Sequence, residues 1–191
     1  MNQVRFGYVT APVIGALWMF TIATTVAVAM SFATGTGFRP SLSLSLLFGA
    51  LLGAACLPGA LGPVPKHRFR AAGAAGVVAL ISLLGFGPIV TGPGVSAFSA
   101  LVGAALTAGF AALGLVKILD ECRWESLTRH EFEAAVIRFL TGFGYIFFTA
   151  IVLIPFYVMV MTSLKNQAEL IQNPLDFSVD LSKGWDLFRS Y

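Results

Sequence analysis

The chain has 191 residues, 57% of them hydrophobic and 11% charged, with a mean hydropathy of +0.85; those proportions leave too little polar surface for a water-soluble domain of this size. It therefore reads as an all-α integral membrane protein: its apolar runs are continuous and about 20 residues long, where a β-barrel needs alternating strands of about ten. The net charge of +3 is scattered between hydrophobic runs, so it bears on membrane orientation and no nucleic-acid partner is expected.

In chain order, a short polar lead with Arg5 precedes an uncharged run from Ala11 to Phe32. That run is too long for the apolar core of a cleaved secretory signal and is read as a retained first span. Gly35, Gly37 and Pro40 mark a turn around Arg39, and Ser41 to Leu61 forms the second span. A breaker-rich loop, GPVPKHRFR, carries Lys66, His67, Arg68 and Arg70. Ala71 to Val90 is the third span, Thr91 to Gly94 (TGPG) a tight turn, and Val95 to Leu119 the fourth. Residues 1–120 thus form an expected four-span bundle rich in Gly and Ala.

Within it, Gly49 and Gly53 make a small-xxx-small pair, and Ala100, Ala104, Ala108 and Ala112 make a longer ladder. Such faces let helices approach closely where no hydrophobic drive exists between them. They serve either to dock a partner helix or to pack the chain's own bundle.

Residues 121–138 form a charged cytoplasmic segment. Thr128 and Glu131 stand three apart just before an apolar-periodic run, the capping-box arrangement, which predicts a helix beginning near Arg129. Phe132, Val136 and Phe139 share one face of it, so an amphipathic helix either lies along the membrane surface or feeds directly into the fifth span. Residues 139–191 hold that span and an extracytoplasmic tail. No charge falls between Arg138 and Lys165, a run of about 39 Å as helix, enough to cross the hydrocarbon core. Its aromatic residues Phe143, Tyr145, Phe147, Phe148, Phe156 and Tyr157 are candidates for contact with neighbouring subunits.

Orientation follows from the cations near span ends. With the N-terminus inside, the inner segments hold Arg5, Lys66, Arg68, Arg70, Lys117, Arg123, Arg129 and Arg138, against Arg39, Lys165, Lys183 and Arg189 outside. The bias predicts five spans with the N-terminus in and the C-terminus out. No span contains an internal Asp, Glu, Lys, Arg or His, which argues against an ion-coupled pump. Cys56 and Cys122 lie in unlike surroundings and suggest neither a disulfide nor a metal cluster, and His67 and His130 lack companion ligands. No nucleophile constellation or phosphate-cradling loop is present. The expectation is a chain with no enzymatic activity, no cofactor and no metal.

One phrase resembles a known family. Ile154-Pro155-Phe156-Tyr157, then Thr162-Ser163-Leu164-Lys165, then Ala168-Glu169-Leu170 and Asn173-Pro174 look like the first core helix and following periplasmic stretch of maltose-type permease subunits of bacterial carbohydrate ABC importers. WDLFRSY, from Trp185 to Tyr191, is similar to that family's approach to the next helix. The resemblance covers about Tyr145 to Tyr191, with Pro155, Ser163, Lys165, Glu169 and Pro174 as its marks, and leaves the first four spans unplaced. It implies a truncated permease-like subunit, since the family's remaining core helices and its coupling loop to the ATPase are not reached by Tyr191. Glu133-Ala134-Ala135 matches the opening of that coupling loop only if residues are inserted downstream, and an ordinary amphipathic lead-in helix explains it without insertion. The implied setting is the bacterial cytoplasmic (inner) membrane, as a multi-pass, non-catalytic subunit of a carbohydrate transport complex. Its partners would be the lipid bilayer, other membrane subunits, and an ATPase subunit or partner permease. The alternative is a small accessory or scaffold subunit of another multi-subunit assembly, such as an energy-transducing complex, that keeps a permease-derived tail.

Overall fold

The computed structural model describes residues 7–56, 65–119 and 128–164. Five helices and one short strand pair make up these segments: α1 (Gly7–Thr34), β1 (Phe38–Pro40), α2 (Leu42–Cys56), α3 (Pro65–Leu83), β2 (Ile89–Thr91), α4 (Ala97–Ile118) and α5 (Arg129–Leu164). The described residues are all-α apart from that pair. α1 packs on α2, α2 on α3, α3 on α4 and α4 back on α1, closing a four-helix arrangement; α5 lies outside it against α1 and α4.

Among the described residues three stretches are long and apolar enough to cross a bilayer: Val9–Thr34, Ala97–Ile118 and Arg129–Val160. The second expected span is described as helix over Leu42–Cys56, its remainder to Leu61 lying outside the described residues, and the third is α3, Pro65–Leu83. Among the described residues their apolar stretches are Leu42–Cys56 and Arg70–Leu83. The sequence reading ran the third span on to Val90, but the helix ends at Leu83. Gly85, at φ +87°, takes the left-handed conformation that closes a helix C-terminus, and the Leu84, Gly85 and Phe86 amides bond back to Ile81 and Ser82 carbonyls. Gly87 and Pro88 then turn the chain into β2.

The strand pair was absent from the sequence reading. Phe38 faces Thr91, Arg39 faces Val90 and Pro40 faces Ile89, antiparallel. The Gly92 amide donates to the Gly37 carbonyl at 2.7 Å. Ser31 ties the last turn of α1 to β1, donating to the Phe38 carbonyl at 3.2 Å and accepting from the Phe38 amide at 3.1 Å. The Pro88 carbonyl receives the Ser41 amide at 2.9 Å and the buried Ser45 hydroxyl at 3.1 Å. The loops α1–α2 and α3–α4 are thereby stapled at one end of the bundle, and buried backbone groups that leave the helices find partners.

Both helix starts that carry capping residues form as their sequence dictates. Ser96 caps α4 by accepting from the Ser99 amide at 3.1 Å. At α5 the Thr128 amide donates to Glu131 Oε2 at 2.9 Å while the Glu131 amide donates to Thr128 Oγ1 at 3.3 Å, a reciprocal capping box. From there the helix runs unbroken to Leu164, so residues 129–138 feed directly into the long apolar stretch. Glu133 of the EAA phrase pairs with Arg129 at 2.8 Å one turn away, and Ala135 is buried. Residues 121–127 lie outside the described segments.

The tightest seam joins α1 to α2. A Cβ added at Gly49 would stand 2.6 Å from Met19 Cβ and 2.7 Å from Ala16 Cα. One at Gly15 would stand 2.7 Å from Gly53 Cα, and one at Gly53 would meet Ala11 and Gly15 backbone. Nothing flexible is available to give way. Gly49→Ala should therefore destabilise the folded bundle by about 1–3 kcal/mol through overpacking. Gly73→Ala, with nothing within 4 Å of the added methyl, should be neutral or stabilising by up to about 1 kcal/mol. Helicity followed through a titration of mixed micelles with denaturing detergent separates the two.

Candidate functional site

The small-residue faces singled out in the sequence lie inside the chain. Gly49 and Gly53 occupy the α1–α2 seam, Ala104, Ala108 and Ala112 are buried in the bundle, and Ala100 is half-buried at the start of the ladder. α4 buries two adjacent stripes, one on Gly103, Thr107 and Ala111 and the other on the alanine ladder. Two stripes let it lie between α1 and α3. Gly103 meets Phe38 and Met30, and Thr107 satisfies its own buried hydroxyl on the Gly103 carbonyl at 2.7 Å. Of the two uses these faces allow, packing within the chain is the one the fold displays.

The aromatic candidates lie on α5 and mostly point away from the bundle. Tyr145 is 73% exposed and Phe148 69%, with Phe143, Phe147 and Phe156 also exposed. Phe139, Phe143 and Phe147 stack in succession along one side of the helix, with centroids 6.4 and 6.1 Å apart. Tyr157 is the exception: half-buried, it donates its hydroxyl to the Phe32 carbonyl at 2.8 Å and packs on the Phe32 ring. Of the residues that carry the permease resemblance, Pro155 sits exposed within the helix and the Ser163 hydroxyl turns back onto the Val160 carbonyl at 2.7 Å. Lys165, Glu169 and Pro174 lie outside the described residues.

α5 meets the bundle along one narrow stripe. Ala135 is buried, and Phe139, Gly142, Ile146 and Ala150 are half-buried at intervals of three and four. No residue of its most apolar window is buried, against half of the corresponding window of α1. Most of a 36-residue apolar helix therefore presents side chains outward.

What holds this stripe is a residue the sequence reading did not single out. Trp18, in the middle of α1 and 5% exposed, wedges between α4 and α5. Its pyrrole edge fills the place of a side chain at Gly114, and a Cβ added at Gly142 would lie 3.0 Å from its Cη2. Phe139 closes on it edge-on at 6.1 Å. The signal was present as one tryptophan and two glycines, but they lie on three helices and no local spacing pairs them. The Trp18 indole nitrogen is buried without an acceptor.

Around the wedge the helices part into open clefts. One of about 590 Å³ runs between α1 and α4 from Trp18 and Lys117 to Ala33. Another of about 570 Å³ lies between α4 and α5, lined by Trp18, Gly114, Lys117, Arg138, Thr141 and Tyr145. A third of about 470 Å³ separates α1 from the middle of α5. Among the described residues there is no group of three or more potential metal ligands. Cys56 is buried as an unpaired thiol at the end of α2 and His130 is exposed at the start of α5. Cys122 and the side chain of His67 lie outside the described set.

Compared with known protein families, with characterised proteins and with solved structures, the chain matches none of them.

Trp18→Ala should cost about 3–5 kcal/mol, the range for deleting a large buried aromatic, and release α5 from α1. Tyr157→Phe, which removes one hydrogen bond and no packing, should cost about 1 kcal/mol. Phe148→Ala, at an exposed position, should change stability by less than about 0.5 kcal/mol. Far-UV circular dichroism during the same detergent titration ranks the three.

Proposed function

We propose that this chain is a non-catalytic membrane subunit that works inside a larger assembly, and that α5 is the element it offers to its neighbours. The observation that carries the reading is the contrast between α5 and the rest. The bundle uses its Gly and Ala faces on itself, while α5 is held by one stripe and leaves Tyr145, Phe148 and Phe156 outward. Large aromatic side chains on a rigid helix supply contact area at low entropy cost, the usual make-up of anchors at a protein interface.

In this reading the protein is a multi-pass component of a bacterial cytoplasmic membrane, with five crossings, the N-terminus inside and the C-terminus outside. The distribution of Lys and Arg supports that orientation. The strand pair is consistent with it, because it brings the two loops assigned to the outer face together at one end.

The phrase from Ile154 to Leu164 favours a carbohydrate transport complex, with an ATPase subunit or a partner permease among the neighbours and any nucleotide handled by another chain. The self-contained packing of the first four helices favours instead an accessory subunit of a different assembly, such as an energy-transducing complex.

A photo-reactive phenylalanine analogue at Tyr145, Phe148 or Phe156 should yield discrete protein adducts in native membranes, whereas the same probe at Leu47, exposed on α2, should not. Mass spectrometry of the adducts decides between an ABC ATPase or permease and other subunits. Lipid adducts alone at all three α5 positions would refute the subunit reading.

A further inference from the structure

Within the chain, the space a glycine leaves open at a helix contact is taken by its neighbour: Trp18 fills it at Gly114 and Gly142, and facing backbone fills it at Gly15, Gly49 and Gly53. α5 has a second glycine, Gly144, and among the described residues nothing lies within 4 Å of a Cβ added there. At about 100° per residue, Gly144 is about 160° round the helix from Gly142 and Ile146 and about 180° from Ala135, residues of the stripe that meets the bundle. It therefore marks the centre of the face that α5 turns away from the rest of the chain.

Ile137, Leu140, Phe147, Phe148, Ile151 and Met159 lie within about 60° of Gly144 round the helix, and each is more than half exposed. Together they leave on the order of 600 Å² of apolar surface open. A symmetric pair would bury on the order of 1,200 Å² in all, which reaches the range of specific, stable interfaces.

This face is also complementary to itself. Phe148 stands one turn beyond Gly144 on the same side, and a helical side chain leans back over the turn N-terminal to it. The ring thus comes level with the gap while staying out of it. A second helix running alongside in the same direction brings an identical ring to the same level, and a two-fold axis sets each ring over the other helix's glycine. Two copies of one chain cross a membrane in the same direction, so an axis along the membrane normal is the one open to them.

We propose that α5 pairs with the α5 of a second copy of this chain, the two helices crossing at Gly144 and each Phe148 packing on the glycine opposite. This rests on the membrane-subunit reading above and names one of the neighbours that α5 meets. The flank of α5 that carries Tyr145 and Phe156 stays open to other subunits.

The test is disulfide cross-linking in native membranes, with the full chain carrying Cys56→Ala and Cys122→Ser. Under mild oxidation Leu140→Cys and Ile151→Cys should each join two copies, seen as a doubled mass on non-reducing gels. The yield should be several-fold that of Leu153→Cys, which is exposed but lines the cleft toward α1. Gly144→Leu, which fills the gap, and Phe148→Ala, which removes the ring, should each lower the yield at Ile151→Cys several-fold. Neither change touches the chain's own packing, so helicity through the detergent titration should stay as it is, which separates lost pairing from lost fold. Dimer yields at Leu140→Cys and Ile151→Cys no higher than at Leu153→Cys would overturn the proposal, as would a yield that survives both Gly144→Leu and Phe148→Ala. In either case discrete protein adducts from the photo-reactive probes at Tyr145 and Phe156 would keep the subunit reading with a different partner, and lipid adducts alone would end both.

Discussion

Backbone contact between α1 and α2 at Gly15, Gly49 and Gly53 sets the geometry on which the rest of the bundle depends. In the membrane setting proposed above, two helices gain little from excluding solvent and must gain from close packing. Glycines at facing positions bring the two backbones together over consecutive turns, which a methyl group on either side would prevent. With α1 and α2 so joined, the chain between them must reverse within a few residues. It does so through β1, whose edge is then completed by β2 from the opposite side of the bundle. Ser31, Ser41 and Ser45 supply the hydrogen bonds that anchor both strands.

The same economy of small side chains shapes α4. Its alanines and glycines leave room for α1 on one side and α3 on the other. At Gly114 the space is filled from the opposite helix by Trp18. That substitution of a neighbour's ring for a side chain is what lets a third helix approach, because the far edge of the indole reaches Gly142 and Phe139 of α5. A single aromatic residue therefore relates α5 to two helices at once. Tyr157, bonded to the Phe32 carbonyl, makes a second and weaker attachment toward the other end.

This packing leaves α5 largely uncovered. The bundle consumes its small faces, and α5 keeps broad apolar and aromatic surface together with clefts that open beside Trp18. An outward aromatic helix suits neighbouring subunits.

Much of the fold was legible in the residues themselves. Composition and continuous apolar runs point to long apolar helices, and Thr128 with Glu131 marks the start of α5 to the residue, because capping is a local interaction over four positions. Gly49 and Gly53 announce a close-packed face for the same reason. Whether that face meets another protein or another part of the chain is not local, and only the tertiary structure showed Gly15 and Ala11 opposite it. The strand pair escaped the linear reading because it joins residues some fifty positions apart, whereas the early end of α3 is local, set by Gly85 in the left-handed conformation with Gly87 and Pro88 behind it. Trp18 is the clearest case. Its identity and depth in α1 were plain from the outset, but its role depends on glycines roughly a hundred residues away, whose lack of a side chain matters only where three helices converge.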